Sequence, residues 1–118
     1  MEIVNAKITD TMLGREDHGI FTFRIFVEFV GGCCGIGGYA LDSYDRRFQK
    51  HIFYPKSMEL VSRVLEVVGV NEWEDLKGKY VRIKSNGWGQ SIDEIGNLIE
   101  EKWLNFKEFF SKEEKPDV

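Results

Sequence analysis

The sequence predicts an α+β fold: an antiparallel sheet of about five strands, one main helix on one face, and an aromatic C-terminal segment. Three observations predict it. Residues 20–30 place Phe21, Phe23, Ile25, Val27 and Phe29 at alternate positions, the period of a strand with one buried face. Residues 58–68 switch to helical spacing, with Met58, Val61, Val64, Leu65 and Val68 set against Glu59, Ser62, Arg63 and Glu66. The strand-like segments on either side are joined mostly by short turns, which favours antiparallel pairing.

Taken in order, residues 2–9 alternate, with Val4, Ala6 and Ile8 on one face, and read as the first strand. Residues 10–19 read as a polar connection. Residues 20–30 follow, the longest strand signal, expected at the centre of the sheet with its phenylalanine face against the helix. Phe26 is its one large apolar residue on the polar side. A glycine-dense stretch leads into a short return strand at 39–41, then an irregular segment that Pro55 closes. Ser57 suits an N-cap and Gly69 the left-handed position that ends a helix. Asn71-Glu-Trp-Glu74 has capping-box form and predicts one turn that seats Trp73 and Leu76. Residues 79–84 read as a strand with Val81 and Ile83 inward; Asn86-Gly87 signals a hairpin carrying Trp88, and a last strand lies within 91–99. The tail at 100–110 alternates charge with aromatics, and is expected to lay Trp103, Phe106 and Phe110 over a bare surface. Residues 1–110 thus read as one domain and 111–118 as a polar, frayed end.

A chain of 118 residues can bury a core without metal or disulfide staples. Its net charge of −4 and pI near 5.2 provide no global field to draw nucleic acid. The start lacks a basic region followed by an apolar run, and no stretch approaches the ~20 apolar residues of a membrane span. The expected setting is cytoplasmic, without a membrane partner. Cys33 and Cys34 are adjacent and read as reduced thiols, since further ligands at zinc spacing are missing.

The segment from Gly31 to Asp45 holds five of the 12 glycines and both cysteines. Glycine at this density costs folding entropy and calls for a local reason. Gly35-Ile-Gly-Gly-Tyr-Ala40 matches G-x-G-x-x-A, but it opens no helix and so fails as a dinucleotide fingerprint. Two readings remain. One is a bulge that bends a long twisted strand. The other is a nest of backbone N–H groups holding an anion. Arg24, Arg46, Arg47, Arg82 or Lys84 could add charge to it, and Tyr39, Tyr44 or Trp88 a stacking face. The expected ligand set is Gly35, Gly37, Gly38, Tyr39, Asp42, Arg82 and Trp88, with Arg82 preferred because a regular strand would hold it rigidly. Glu16, Asp17, His18, Asp42, Asp45 and His51 could form a metal site if their loops meet, against a reading as turn chemistry. A cysteine–histidine pair lacks a third, orienting group. No catalytic residue, metal or cofactor is therefore assigned.

Thr-Met-Leu-Gly-Arg-Glu-Asp-His-Gly-Ile20, Gly-Gly-Tyr-Ala-Leu-Asp42, the run from Val64 to Arg82 and Ile95 to Leu104 together resemble a group of small phage and prophage proteins. The likeness covers most of the chain, and the Cys33-Cys34 pair departs from it. No activity is assigned to that group, so no residue role carries over. The resemblance implies an accessory protein in the cytoplasm of an infected or lysogenic bacterium, countering host defence. The expected mode is non-enzymatic binding of a small anionic, nucleotide-like ligand at the glycine turn. The alternatives are an inhibitor of a host defence protein complex and a small metal-assisted enzyme; homo-oligomerisation stays open.

Overall fold

The computed structural model describes residues 2–16, 19–85 and 92–111. Its organising strand is β1, Glu2–Arg15, which runs through what the sequence suggested was a connection at 10–15. β1 has a register shift between Ile8 and Asp10. Its first half pairs with β6 (Tyr80–Ser85), and from Ala6 onward it pairs with β2 (Phe21–Phe29). A bulge sharpens twist, so one long strand can serve two partners while the sheet curls. The long β2 offers ladder partners out to Arg15, and that pairing overrides the weak strand composition of residues 10–15.

The main sheet has six antiparallel strands, ordered β3-β2-β1-β6-β7-β8, with β3 at Gly32–Ala40, β7 at Glu94–Asn97 and β8 at Trp103–Asn105. Its centre is β1–β6, so β2 lies one strand from the edge and not at the centre as expected. A separate hairpin, β4 (Asp42–Asp45) with β5 (Lys50–Phe53), follows β3. The ladder does not close on itself, and its free edges are β3 and β8. The Tyr39 hydroxyl donates to Asp93 Oδ1 at 3.0 Å.

The inner face is apolar. Phe23, Ile25 and Val27 are buried as the alternation predicts, with Phe21 and Phe29 partly so, and Ala6, Ile8, Val81, Ile83 and Ile95 join them in one cluster. Phe26 faces outward, 37% exposed. The helix α1 (Ser57–Val68) rests on β7 and β8. On the phenylalanine face of β2, Phe23 packs against α2 (Phe106–Ser111), 5.3 Å from the Phe106 ring and 6.5 Å from Phe110. Phe106 is fully buried and Trp103 and Phe110 partly, as the tail reading expects.

The buried stripe of α1 is Leu60, Val64 and Val67, also at helical spacing, while Met58 is 75% exposed. The helix is therefore rotated from the face its pattern suggested. Ser57 explains part of this. It does not cap; its hydroxyl donates to the Leu41 carbonyl at 2.7 Å, tying the helix start to the end of β3. Gly69 takes the left-handed conformation, φ 90°, and its N–H reaches the Leu65 carbonyl at 2.8 Å. Trp73–Leu76 forms the expected single turn and buries Leu76, without a side-chain cap. The Asn86-Gly87 hairpin, Trp88 and the end beyond Ser111 lie outside the described residues. Among the described residues no helix is long and apolar enough to cross a membrane.

Candidate functional site

The glycine segment is an edge strand and not a loop. The hairpin turns at Val30-Gly31, where Gly31 has φ 101°, and β3 then pairs along β2 from Gly32. A register shift places a bulge in β3, where Gly38 and Tyr39 stand opposite the single residue Phe23, next to the Arg24–Gly37 pair. Gly37 has φ 107°, and a Cβ there would lie 2.7 Å from the Phe23 ring and 2.9 Å from the Phe23 carbonyl. Gly38 has φ 81°, and its Cβ would meet the Arg24 guanidinium at 3.1 Å. Gly35 lies under the Phe26 ring, which its Cβ would approach at 3.3 Å. Each glycine thus has a local steric reason.

Arg24 is engaged too, donating to Glu16 Oε1 at 2.6 Å and Oε2 at 3.3 Å. That hydrogen bond holds the Glu16 carboxyl below its usual range. Cys33 is exposed and Cys34 half-buried, both free. Burial, then the neighbouring Cys33, pushes the Cys34 thiol up.

Arg82 lies far from this bulge. It pairs opposite Asn5 of β1, whereas Gly37 pairs with Arg24, opposite Met12, seven residues and roughly 20 Å further along β1. Its guanidinium is also committed. Nε donates to the Asn97 carbonyl at 2.7 Å, and Nη2 to the Glu100 carbonyl at 2.9 Å and to Glu101 at 3.0 Å. The guanidinium also lies 4.8 Å from the centre of the Trp103 ring. Arg82 therefore braces the turn between β7 and β8.

Tyr39 is half-buried, stacked on Phe110 at 4.7 Å and bonded to Asp93. Burial, the Asp93 hydrogen bond and the Asp93 charge together push its phenol up to about 12. A folded value above the unfolded ~10 favours the neutral phenol, so this stability is complete below pH ~10 and disappears as pH rises towards 12. Tyr39→Phe should therefore flatten the alkaline fall in the denaturation midpoint between pH 10 and 12.

Asp42 carries the next link. Its side chain is fully buried: Oδ1 accepts the Phe21 N–H at 2.9 Å, and Oδ2 lies 2.9 Å from His51 Nδ1. Neither Oδ2 nor Nδ1 has a well-aligned hydrogen bond, so the two are held as a close polar pair. The pair joins the two strands of the hairpin, and the Phe21 N–H to Asp42 Oδ1 bond anchors it to β2. A cysteine does not complete it, because Cys34 pairs with Val27, six residues and roughly 20 Å along β2 from Phe21. Among the described residues no three of His, Cys, Asp and Glu gather as for a metal; Asp17 and His18 lie outside them.

The hairpin itself is the most distinctive surface. Residues 42–55 read as irregular in sequence because the loop 46–49 has no glycine, proline or asparagine. Instead Gln49 takes the left-handed turn at φ 51°, and Asp45 Oδ1 accepts the Arg47 N–H at 2.9 Å. Burial pushes the Asp45 carboxyl up, but hydrogen bonds from the Arg47 side chain and backbone outweigh it and hold the group below its usual range.

Both acids of the arm are turned inward, Asp42 with 0% and Asp45 with 4% of the side chain exposed. Arg46, Arg47 and Lys50 stay exposed. Tyr44, Phe48 and Phe53 are 47%, 66% and 52% exposed. Arg47 and Lys50 lie 5.5 and 5.8 Å from the Phe48 ring centre, and Tyr44 meets His51 edge-on at 5.1 Å. At the base Phe53 meets Phe21 at 6.0 Å, and Arg15 lies 5.9 Å from the Phe21 ring. Thus a locally positive, ring-bearing arm stands on an acidic protein.

A concavity of about 200 Å³ lies between α1, β8 and α2, lined by Lys56, Arg63, Trp103, Asn105, Glu108 and Phe109. Glu108 opposes its cations, and the Asn105 amide is spent on Glu94 and the Glu108 N–H. Comparison with family models, curated proteins and solved structures finds no match to this chain.

Proposed function

We propose that this protein is a non-catalytic binding module whose β4–β5 arm holds an anionic, base-bearing ligand of nucleotide type. One observation carries the reading: the arm buries both carboxylates while exposing three cations and three aromatic rings. Exposed aromatic surface costs solubility, and rings beside guanidinium groups suit a π-faced anion. An arginine fork can take two phosphate oxygens together. The ligand class is the one expected from sequence, moved from the glycine turn to the arm. The move follows from Arg82 being committed elsewhere and from the steric role of each glycine. The resemblance to small phage proteins supports an accessory role in an infected or lysogenic cell, where such binding would withdraw a nucleotide signal from host defence.

Calorimetric titration with ATP at low salt tests this. Wild type should bind, and Arg46→Ala with Arg47→Ala should weaken binding by roughly ten-fold or more, since charge-assisted hydrogen bonds contribute about 1.5–3 kcal/mol each. Gly38→Ala should bind as wild type does, in proportion to folded protein. Loss of binding in the Gly38 variant, with the arginine pair dispensable, would return the site to the glycine turn.

A further inference from the structure

Resting on the reading of the arm as a nucleotide-type site, we infer that the arm takes a single-stranded nucleic acid more tightly than a free nucleotide. The arrangement of the rings decides between them. A free nucleotide reaches useful affinity in a concave site that buries most of its surface. Here the rings stand on a projecting hairpin, and Phe48 at its turn is two-thirds exposed. They are also spread from the base of the hairpin to its turn. Phe21 with Arg15 marks the base, Phe53 touches Phe21, Tyr44 lies diagonally across the hairpin from Phe53 on the same face, and Phe48 stands at the turn beside Arg47 and Lys50. Diagonal neighbours on one face of a hairpin are about 7–8 Å apart, so Tyr44 and Phe53 can each receive a separate base.

A strand gains from such a spread what a monomer cannot: each stacked base and each phosphate adds a weak contact. Duplex does not fit, because its bases are stacked on one another and closed to the rings. The acidic whole does not forbid this, since salt screens charges beyond about 10 Å and the arm itself sets three cations, Arg46, Arg47 and Lys50, against the two carboxylates Asp42 and Asp45. Stacking on Phe and Tyr reads no base edge, so binding tolerates sequence.

The test is fluorescence anisotropy of a labelled 20-nucleotide oligo-dT with the whole protein at low salt, beside a duplex of equal length and dTTP as competitor. Oligo-dT should bind at least ten-fold tighter than either. The log–log salt slope should be about −1.4, from Arg46 and Lys50 at roughly −0.7 each, with the Arg47 guanidinium held by Asp45. Phe48→Ala should weaken binding by about ten-fold with an unchanged melting curve, because its exposed ring supports no core. Arg46→Ala offers a second variant equally remote from the core. Equal affinity for dTTP and oligo-dT overturns the strand inference and leaves the nucleotide reading standing. Equal affinity for duplex overturns the stacking. Binding of neither dTTP nor oligo-dT overturns both readings.

Discussion

Gly37→Ala is expected to destabilise the fold severely while leaving the arm's chemistry untouched. A non-glycine residue in the left-handed region costs roughly 1–3 kcal/mol. Here the added methyl would also meet the Phe23 carbonyl at 2.9 Å, and backbone cannot step aside as a side-chain end can. Overpacking of this kind adds roughly 1–3 kcal/mol. Gly38 gives the contrast: its nearest obstacle is the flexible Arg24 guanidinium at 3.1 Å, so its substitution should cost less. Urea unfolding of the two variants checks the order. Equal midpoints would mean that the bulge does not depend on the contact with Phe23.

Phe106→Ala should cost about 3–5 kcal/mol, the range for removing a buried aromatic. Phe106 is fully buried directly after β8, 5.3 Å from Phe23 of β2 and 6.4 Å from Tyr39 of β3. Its backbone N–H also donates to the Asp93 carbonyl at 2.8 Å, fixing where α2 starts. Against a total stability of about 5–15 kcal/mol, the loss should lower the urea midpoint sharply. A shift no larger than that of an exposed Phe48→Ala would show that α2 is not part of the core.

The fold class was legible because alternation in residues 20–30 and helical spacing in 58–68 report burial directly. Strand order was less so. Sequence period says which side chains share a face, not which strand lies beside which, and one bulge near Thr9 let β1 take two partners and displace β2 from the centre. The face of α1 was misread by including Met58, because Leu60 and Val67 define an overlapping stripe and only packing chooses between them. β8 went unrecognised because Trp103–Asn105 is too short to show a period.

At the candidate site, sequence marked the glycines correctly as requiring a special backbone but could not tell bulge from nest. The bulge shows only in the register of β3 against Phe23 and in how close Phe23 and Arg24 come. Arg82 looked available because an ion pair with Glu101 and bonds to the Asn97 and Glu100 carbonyls leave no local pattern. The arm's cations and rings were visible in sequence. Their exposure depended on burial of Asp42 and Asp45, which only the tertiary fold reveals.

The account's central claim is that ligand is held on the arm. The most direct measurement is a ¹H–¹⁵N NMR titration with oligo-dT, following every backbone amide. The account predicts the largest shifts at residues 44–53, extending to Arg15 and Phe21, with Gly35, Gly37 and Gly38 nearly unmoved. Shifts centred on the glycine strand, or on Lys56, Arg63 and Phe109 around the concavity between α1 and α2, with the arm unmoved, would contradict it.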